Sequence, residues 1–60
     1  MNNQLPQDPF MLLSVVNTGL RDEYPDLDAL CDDIGADRNE IIQTLGSIGY
    51  AYDPERNRFC

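Results

Sequence analysis

The sequence contains no histidine and no lysine. Without histidine the commonest general base of enzymes is missing. Without lysine, all side-chain positive charge rests on four arginines, against eleven aspartates and glutamates, for a net charge of -7. Such a balance repels other polyanions, which argues against nonspecific nucleic-acid binding and against anionic membrane surfaces. No apolar run comes near the roughly 18 residues that a membrane-spanning helix needs. The start, Met1-Asn2-Asn3-Gln4-Leu5-Pro6, lacks the basic flank and apolar stretch of a signal peptide. A cytoplasmic protein is the expectation. No glycine-rich phosphate loop occurs, since Gly35, Gly46 and Gly49 each have a cap or packing explanation. Ser14 and Ser47 lie in no nucleophile-elbow or triad context. The chain is therefore read as noncatalytic, with no cofactor expected.

Two cysteines are too few for a disulfide scaffold. Cys31 falls on the apolar stripe of an expected helix and reads as a small core hydrophobe, and Cys60 reads as a free terminal thiol. The competing reading, a Cys31–Cys60 bridge or an intermolecular Cys60 link, is disfavoured in a reducing compartment.

Sixty residues allow one domain. A chain this short buries only about 60% of the surface its unfolded form exposes, so its core is marginal. Apolar residues at 42% and charged residues at 25% are nevertheless ordinary for a globular protein. Residues 1–7 are polar and expected to be loose, and residues 8–60 form the domain. Asp8-Pro9 opens a first helix, with Asp as N-cap and Pro at the first helical position. Leu12, Val16 and Leu20 recur at four-residue spacing, Leu13 joins that stripe, and the segment from Phe10 to Arg21 is apolar on more than one face. A helix apolar nearly all round is buried or shared with another chain, which raises a homodimer through helix 10–20 as an expectation. Gly19 inside it costs about 1 kcal/mol relative to Ala, a cost that close contact with a neighbouring helix would explain. Pro25 stops any continuation.

Asp26 or a neighbour caps a short second helix with Leu27, Leu30, Cys31 and Ile34 on one stripe, and Gly35 suits a left-handed C-terminal position. Asp37-Arg38-Asn39-Glu40 is an aspartate variant of the capping box and opens a third helix, with Ile41, Ile42, Leu45 and Ile48 inward and Gly49 at its end. Tyr50-Ala51-Tyr52 and Arg58-Phe59 read as short strands about the turn-rich Asp53-Pro54-Glu55-Arg56-Asn57. A two-stranded ribbon is unstable alone and must pack on the helices. Tyr24, Tyr50, Tyr52 and Phe59 read as cover for the core there, although Tyr beside Arg also suits a protein interface. The fold expected is mainly α: a three-helix, helix-turn-helix-like unit, minimally winged-helix-like, with a short C-terminal β-ribbon.

That pattern raises DNA binding through Arg38, Asn39, Gln43, Arg56 and Arg58, with Asp37 and Ile42 also exposed on the third helix. Charge weighs against it. Residues 1–35 carry seven acids and one base, Arg21, and in DNA-binding versions of the motif the first helix of the pair crosses the phosphate backbone. Here it would bring Asp26, Asp28, Asp32 and Asp33 to the phosphates, whereas strong binders neutralise phosphates through about six to ten basic contacts. The aspartate cluster also fails as a calcium loop, because from Asp26 the fifth and sixth positions are Leu30 and Cys31. Asp28 and Asp32 are like charges four residues apart, and Asp32 and Asp33 oppose the dipole at a helix C-terminus. Local rules broken in this way mark Asp28, Asp32 and Asp33 as candidate partner-facing residues, complementary to a basic patch on another protein. The leading expectation is a protein–protein interaction or regulatory module with an unidentified protein partner. The alternative is a helix-turn-helix DNA-binding protein.

The segments Leu5-Pro6-Gln7-Asp8-Pro9-Phe10-Met11-Leu12-Leu13-Ser14, Leu20-Arg21-Asp22-Glu23-Tyr24-Pro25, Leu27-Asp28-Ala29-Leu30-Cys31-Asp32-Asp33 and Ser47-Ile48-Gly49-Tyr50-Ala51-Tyr52-Asp53-Pro54 together resemble a family of short bacterial proteins, the domain of unknown function numbered 4250. The resemblance runs from about Leu5 to Phe59 and implies a stand-alone protein of about this length. It implies no activity, cofactor or site residues.

Overall fold

A computed structural model describes residues 5–60. The part of the expected loose N-terminus that covers residues 1–4 lies outside them. Leu5 is half-buried and packs against the core. The order is α1 (Pro9–Asp22), α2 (Leu27–Ile34), α3 (Arg38–Gly46), β1 (Tyr52–Asp53) and β2 (Arg58–Phe59). The strands form an antiparallel pair, with Tyr52 opposite Phe59 and Asp53 opposite Arg58. The expected architecture of three helices and a short C-terminal ribbon is the one observed. The first strand is displaced towards the turn: Tyr50 precedes it, and Ala51 contributes a reciprocal backbone pair with Cys60, 3.1 and 3.0 Å.

Local chemistry sets the helix ends. Asp8 Oδ2 accepts from Met11 N at 3.0 Å, and Asp26 Oδ1 accepts from Ala29 N at 2.7 Å. Asp37 accepts from Asn39 N, two residues on, rather than completing the capping box foreseen with Glu40. Gly35 closes α2 at φ 72°, in the left-handed region that favours glycine, and its N–H and that of Ala36 donate to Cys31 O. Helix α3 stops at Gly46, before the Gly49 expected, because the last turn tightens. Gly49 at φ 87° then donates to Gly46 O while Tyr50 N donates to Leu45 O, a Schellman closure.

The core is Leu12, Val16 and Leu20 of α1, Leu27, Leu30 and Cys31 of α2, Ile41 and Leu45 of α3, and Phe59 of β2. Each helix thus contributes the stripe its spacing foretold, but Ile34, Ile42 and Ile48 are only half-buried. Helix α1 is not buried all round. Phe10 is 62% exposed, Met11 60% and Val15 48%. Gly19 has the reason anticipated for it: a methyl placed there would meet Leu30 Cδ1 of α2 at 3.1 Å and the Tyr24 ring at 3.4 Å. Both cysteines are free, Cys31 buried and Cys60 exposed. Burial, with Asp28 nearby, pushes the Cys31 thiol above its ordinary pKa.

Two asparagines join the ribbon to the helices. Asn17, in mid-α1, accepts from Phe59 N at 2.8 Å through Oδ1 and donates to Phe59 O at 3.1 Å through Nδ2, so its amide acts as a further strand beside β2. Asn57, at φ 54°, donates from Nδ2 to Leu20 O and Tyr24 O at 2.9 and 3.0 Å. Its Oδ1 accepts from the Tyr52 hydroxyl at 2.7 Å, and that hydroxyl accepts from Leu27 N at 3.2 Å. The bonds at Asn57 and Tyr52 therefore link the end of α1, the ribbon and the start of α2.

Candidate functional site

The residues marked out by sequence divide over several surfaces. Asp28 and Arg38 face each other across the α2–α3 turn, Nε to Oδ1 at 2.9 Å. Each satisfies the other within the chain, which accounts for an aspartate that sequence alone left without a complement. Asp33 has a partner too: the Tyr24 hydroxyl donates to its Oδ2 at 2.6 Å. That bond to a carboxylate, followed by desolvation and the charge of Asp33, pushes the Tyr24 phenol up to about 12. Asp32 is exposed. Asn39 and Gln43 are exposed on α3, and Ile42 between them is half-buried.

The arginines do not group as the helix-turn-helix pattern suggested. Arg38 lines a depression with Asp26, Leu27, Asp28, Tyr52 and Pro54. Arg56 and Arg58 line a different one of about 580 Å³, together with Asn17, Leu20, Arg21 and Asn57. Arg21, which sequence placed only as the lone base of an acidic half, is thus the third cation of that group. Its guanidinium grips Asp22 through Nε and Nη2 at 2.9 and 3.0 Å, and this pairing holds the Asp22 carboxyl below the usual carboxylate range. Arg56 Nε lies 3.9 Å from Asp53 Oδ2. Among the described residues, no carboxylate lies within ion-pair distance of Arg58.

A family model described as Domain of unknown function (DUF4250) matches residues 6–59. The chain belongs to this family. The match takes in all three helices and the ribbon, so the elements that build both arginine surfaces lie within the family's domain. No curated protein and no solved structure matches the chain.

A third surface is apolar. Val15, Thr18 and Gly19 of α1 border a groove of about 280 Å³ whose other wall is Tyr24, Leu30 and Ile34. Asp22 and Glu23 stand at its end. Met11 is one turn from Val15 along the same side of α1, so the exposed apolar strip continues past the groove. The tyrosine–aspartate bond braces the junction of this groove with α2. Chemically, the strip and groove offer contact area with an acidic end, and the arginine depression offers hydrogen-bond donors with positive charge. Among the described residues, no group of three or more His, Cys, Asp or Glu side chains is placed to hold a metal ion. No helix among them is long and apolar enough to cross a membrane.

Proposed function

We propose that this chain is a noncatalytic protein–protein interaction or regulatory module whose contact surface is the outer face of α1. The observation that carries the proposal is the exposure of Phe10, Met11 and Val15 within two turns of one helix, with Val15 on the lip of an apolar groove. Singly scattered apolar side chains need no explanation, but Met11 and Val15 one turn apart beside a groove, with Phe10 exposed next to Met11, mark an interaction face. A second copy of the chain is the first occupant to test. A standard interface takes about 800 Å² from each partner, about a fifth of this molecule's 4062 Å² accessible surface. An isologous pairing would set Met11 and Val15 of each copy against the other's groove. The chain lacks histidine and any built nucleophile, which supports a binding role over a catalytic one.

The DNA-binding alternative draws on the helix-turn-helix-like placement of α2 and α3. It is weakened by the Asp28–Arg38 pair, which engages the one arginine of α3 within the chain.

Size-exclusion chromatography with light scattering, run from low to high micromolar concentration, tests the dimer. The expected result is a concentration-dependent dimer that Met11→Glu and Val15→Glu each return to monomer with an unchanged circular dichroism spectrum. A strict monomer at high micromolar concentration removes the homodimer. If the two glutamate variants also retain every partner protein captured by the parent chain, the α1 face is not the contact surface.

A further inference from the structure

We propose that the depression between the last turns of α1 and the ribbon binds one compact phosphoryl-type dianion through Arg21, Arg56 and Arg58. Three of the chain's four arginines line this one place, and no carboxylate lines it with them. On a protein of net charge -7, three arginines on one opening set the site apart, even with Asp22 and Asp53 bordering Arg21 and Arg56.

The walls are prepared for recognition. Asn17 and Asn57 also line the depression, but both amides are engaged in holding Phe59, Leu20 and Tyr24. They fix α1, the turn and β2 against one another, so the three arginine stems leave a cross-linked platform. Arg58 has no carboxylate in reach among the described residues, and Arg56 holds Asp53 only at 3.9 Å. Arg21 is engaged by Asp22, whose carboxylate a stronger anion would share or displace.

The chemistry favours a phosphoryl group over the alternatives. One carboxylate is satisfied by a single guanidinium fork, whereas three forks around one opening match the terminal oxygens of a phosphate dianion. A compact ion inside the depression competes with Asp22 and Asp53 for Arg21 and Arg56, and meets the remaining acids only through solvent, screened over roughly 8 Å at physiological salt. A nucleic acid or a polyacidic peptide would extend across the carboxylate-rich remainder and be repelled. The opening, at about 580 Å³, also leaves room for an organic portion beside the phosphoryl group. Inorganic phosphate and a phosphomonoester share the chemistry, and the two differ in what fills that room.

The test is an NMR titration of the full chain at fixed pH and fixed ionic strength, with inorganic phosphate, phenyl phosphate, sodium chloride and a short single-stranded oligonucleotide as separate probes. Saturating shifts at the Arg21, Arg56 and Arg58 side-chain N–H groups are expected with both phosphates. Tighter binding of phenyl phosphate identifies a monoester site, and equal binding identifies a site for the free ion. Arg58→Ala is expected to weaken phosphate about tenfold, whereas Arg38→Ala, which makes the same charge change elsewhere, leaves it unaltered. Circular dichroism confirms that both variants fold. The proposal is overturned if tens of millimolar phosphate shifts nothing beyond the chloride control, if the two arginine variants weaken binding equally, or if the oligonucleotide binds more tightly than either phosphate.

Discussion

Replacing Asn57 with alanine should destabilise this protein severely for a half-buried position. The side chain makes three hydrogen bonds, to Leu20 O, Tyr24 O and the Tyr52 hydroxyl. Each is part-buried, and a protein hydrogen bond contributes about 1 kcal/mol net. Alanine would also have to hold φ near 54°, in the left-handed region, at a further cost of about 1 kcal/mol. Water reaching part-buried groups recovers some of this, which leaves a loss of about 3 kcal/mol. A domain of 60 residues has roughly 3 to 9 kcal/mol in total, so the variant should sit near its unfolding threshold at 25 °C. Asn57→Gly removes the same bonds but tolerates the backbone, so it should be milder than alanine by about 1 kcal/mol. Asn57→Asp keeps an acceptor for Tyr52 but turns the donor that held two carbonyls into another acceptor, and it should be at least as damaging as alanine. Urea unfolding followed by circular dichroism at 222 nm measures all three. Asn57→Ala within about 0.5 kcal/mol of the parent, at unchanged m-value, would refute the assignment of Asn57 as the bond between ribbon and helices.

Further outcomes follow from single contacts. The Tyr24 phenol should titrate near 12 rather than at the ordinary 10, and Asp33→Asn should return it towards 10, read from the tyrosine Cζ shifts by NMR. Because the folded pKa is raised, the stability associated with this bond is fully present below pH 10 and is lost as pH rises towards 12. The Asp28–Arg38 pair is solvent-exposed, and breaking it with Arg38→Ala should cost less than about 1 kcal/mol in urea unfolding. Asp8→Ala should cost about 1 kcal/mol by the same assay, through loss of the α1 N-cap. Gly19→Val should cost at least about 2 kcal/mol, since the first added carbon already meets Leu30 at 3.1 Å and a branched residue adds more.

The features legible in the sequence are those whose physics is local. Asp8 and Asp26 cap helices within three residues of themselves, and Gly35 and Gly49 end them within five. The stripes of Leu12, Val16 and Leu20 and of Leu27, Leu30 and Cys31 follow from helical period alone. Asn17 and Asn57 were missed because their partners lie 42 and 33 to 37 residues away, and no spacing rule encodes a side-chain amide closing a distant backbone pair. Weak signals did exist: an asparagine in the middle of an apolar helix is a poor local choice, and asparagine is among the few residues that tolerate positive φ in a turn. The outer side of α1 was left open by the sequence, as buried or shared with another chain, for a different reason. An apolar residue count cannot tell which part of a helix a core of nine residues has room to cover.

The same contrast between local and distant contacts bears on the arginines and on the helix-turn-helix-like pair. By motif, Arg38 belongs with Arg56 and Arg58, as recognition helix with wing. In the folded chain, Arg38 is held by Asp28 at 2.9 Å, and the start of α3 also carries Asp37 and Glu40. A phosphate approaching that end meets two carboxylates and a guanidinium already engaged, the reverse of what backbone contact requires. Positive charge collects instead where α1 packs on β2, because that packing sets Arg21 beside Arg56 and Arg58. Leu27, Leu30 and Cys31 of α2 and Ile41 and Leu45 of α3 spend the pair's apolar faces on the core that supports α1. A shared arrangement of helices does not carry a shared use. The apolar strip and the arginine depression are both built on α1.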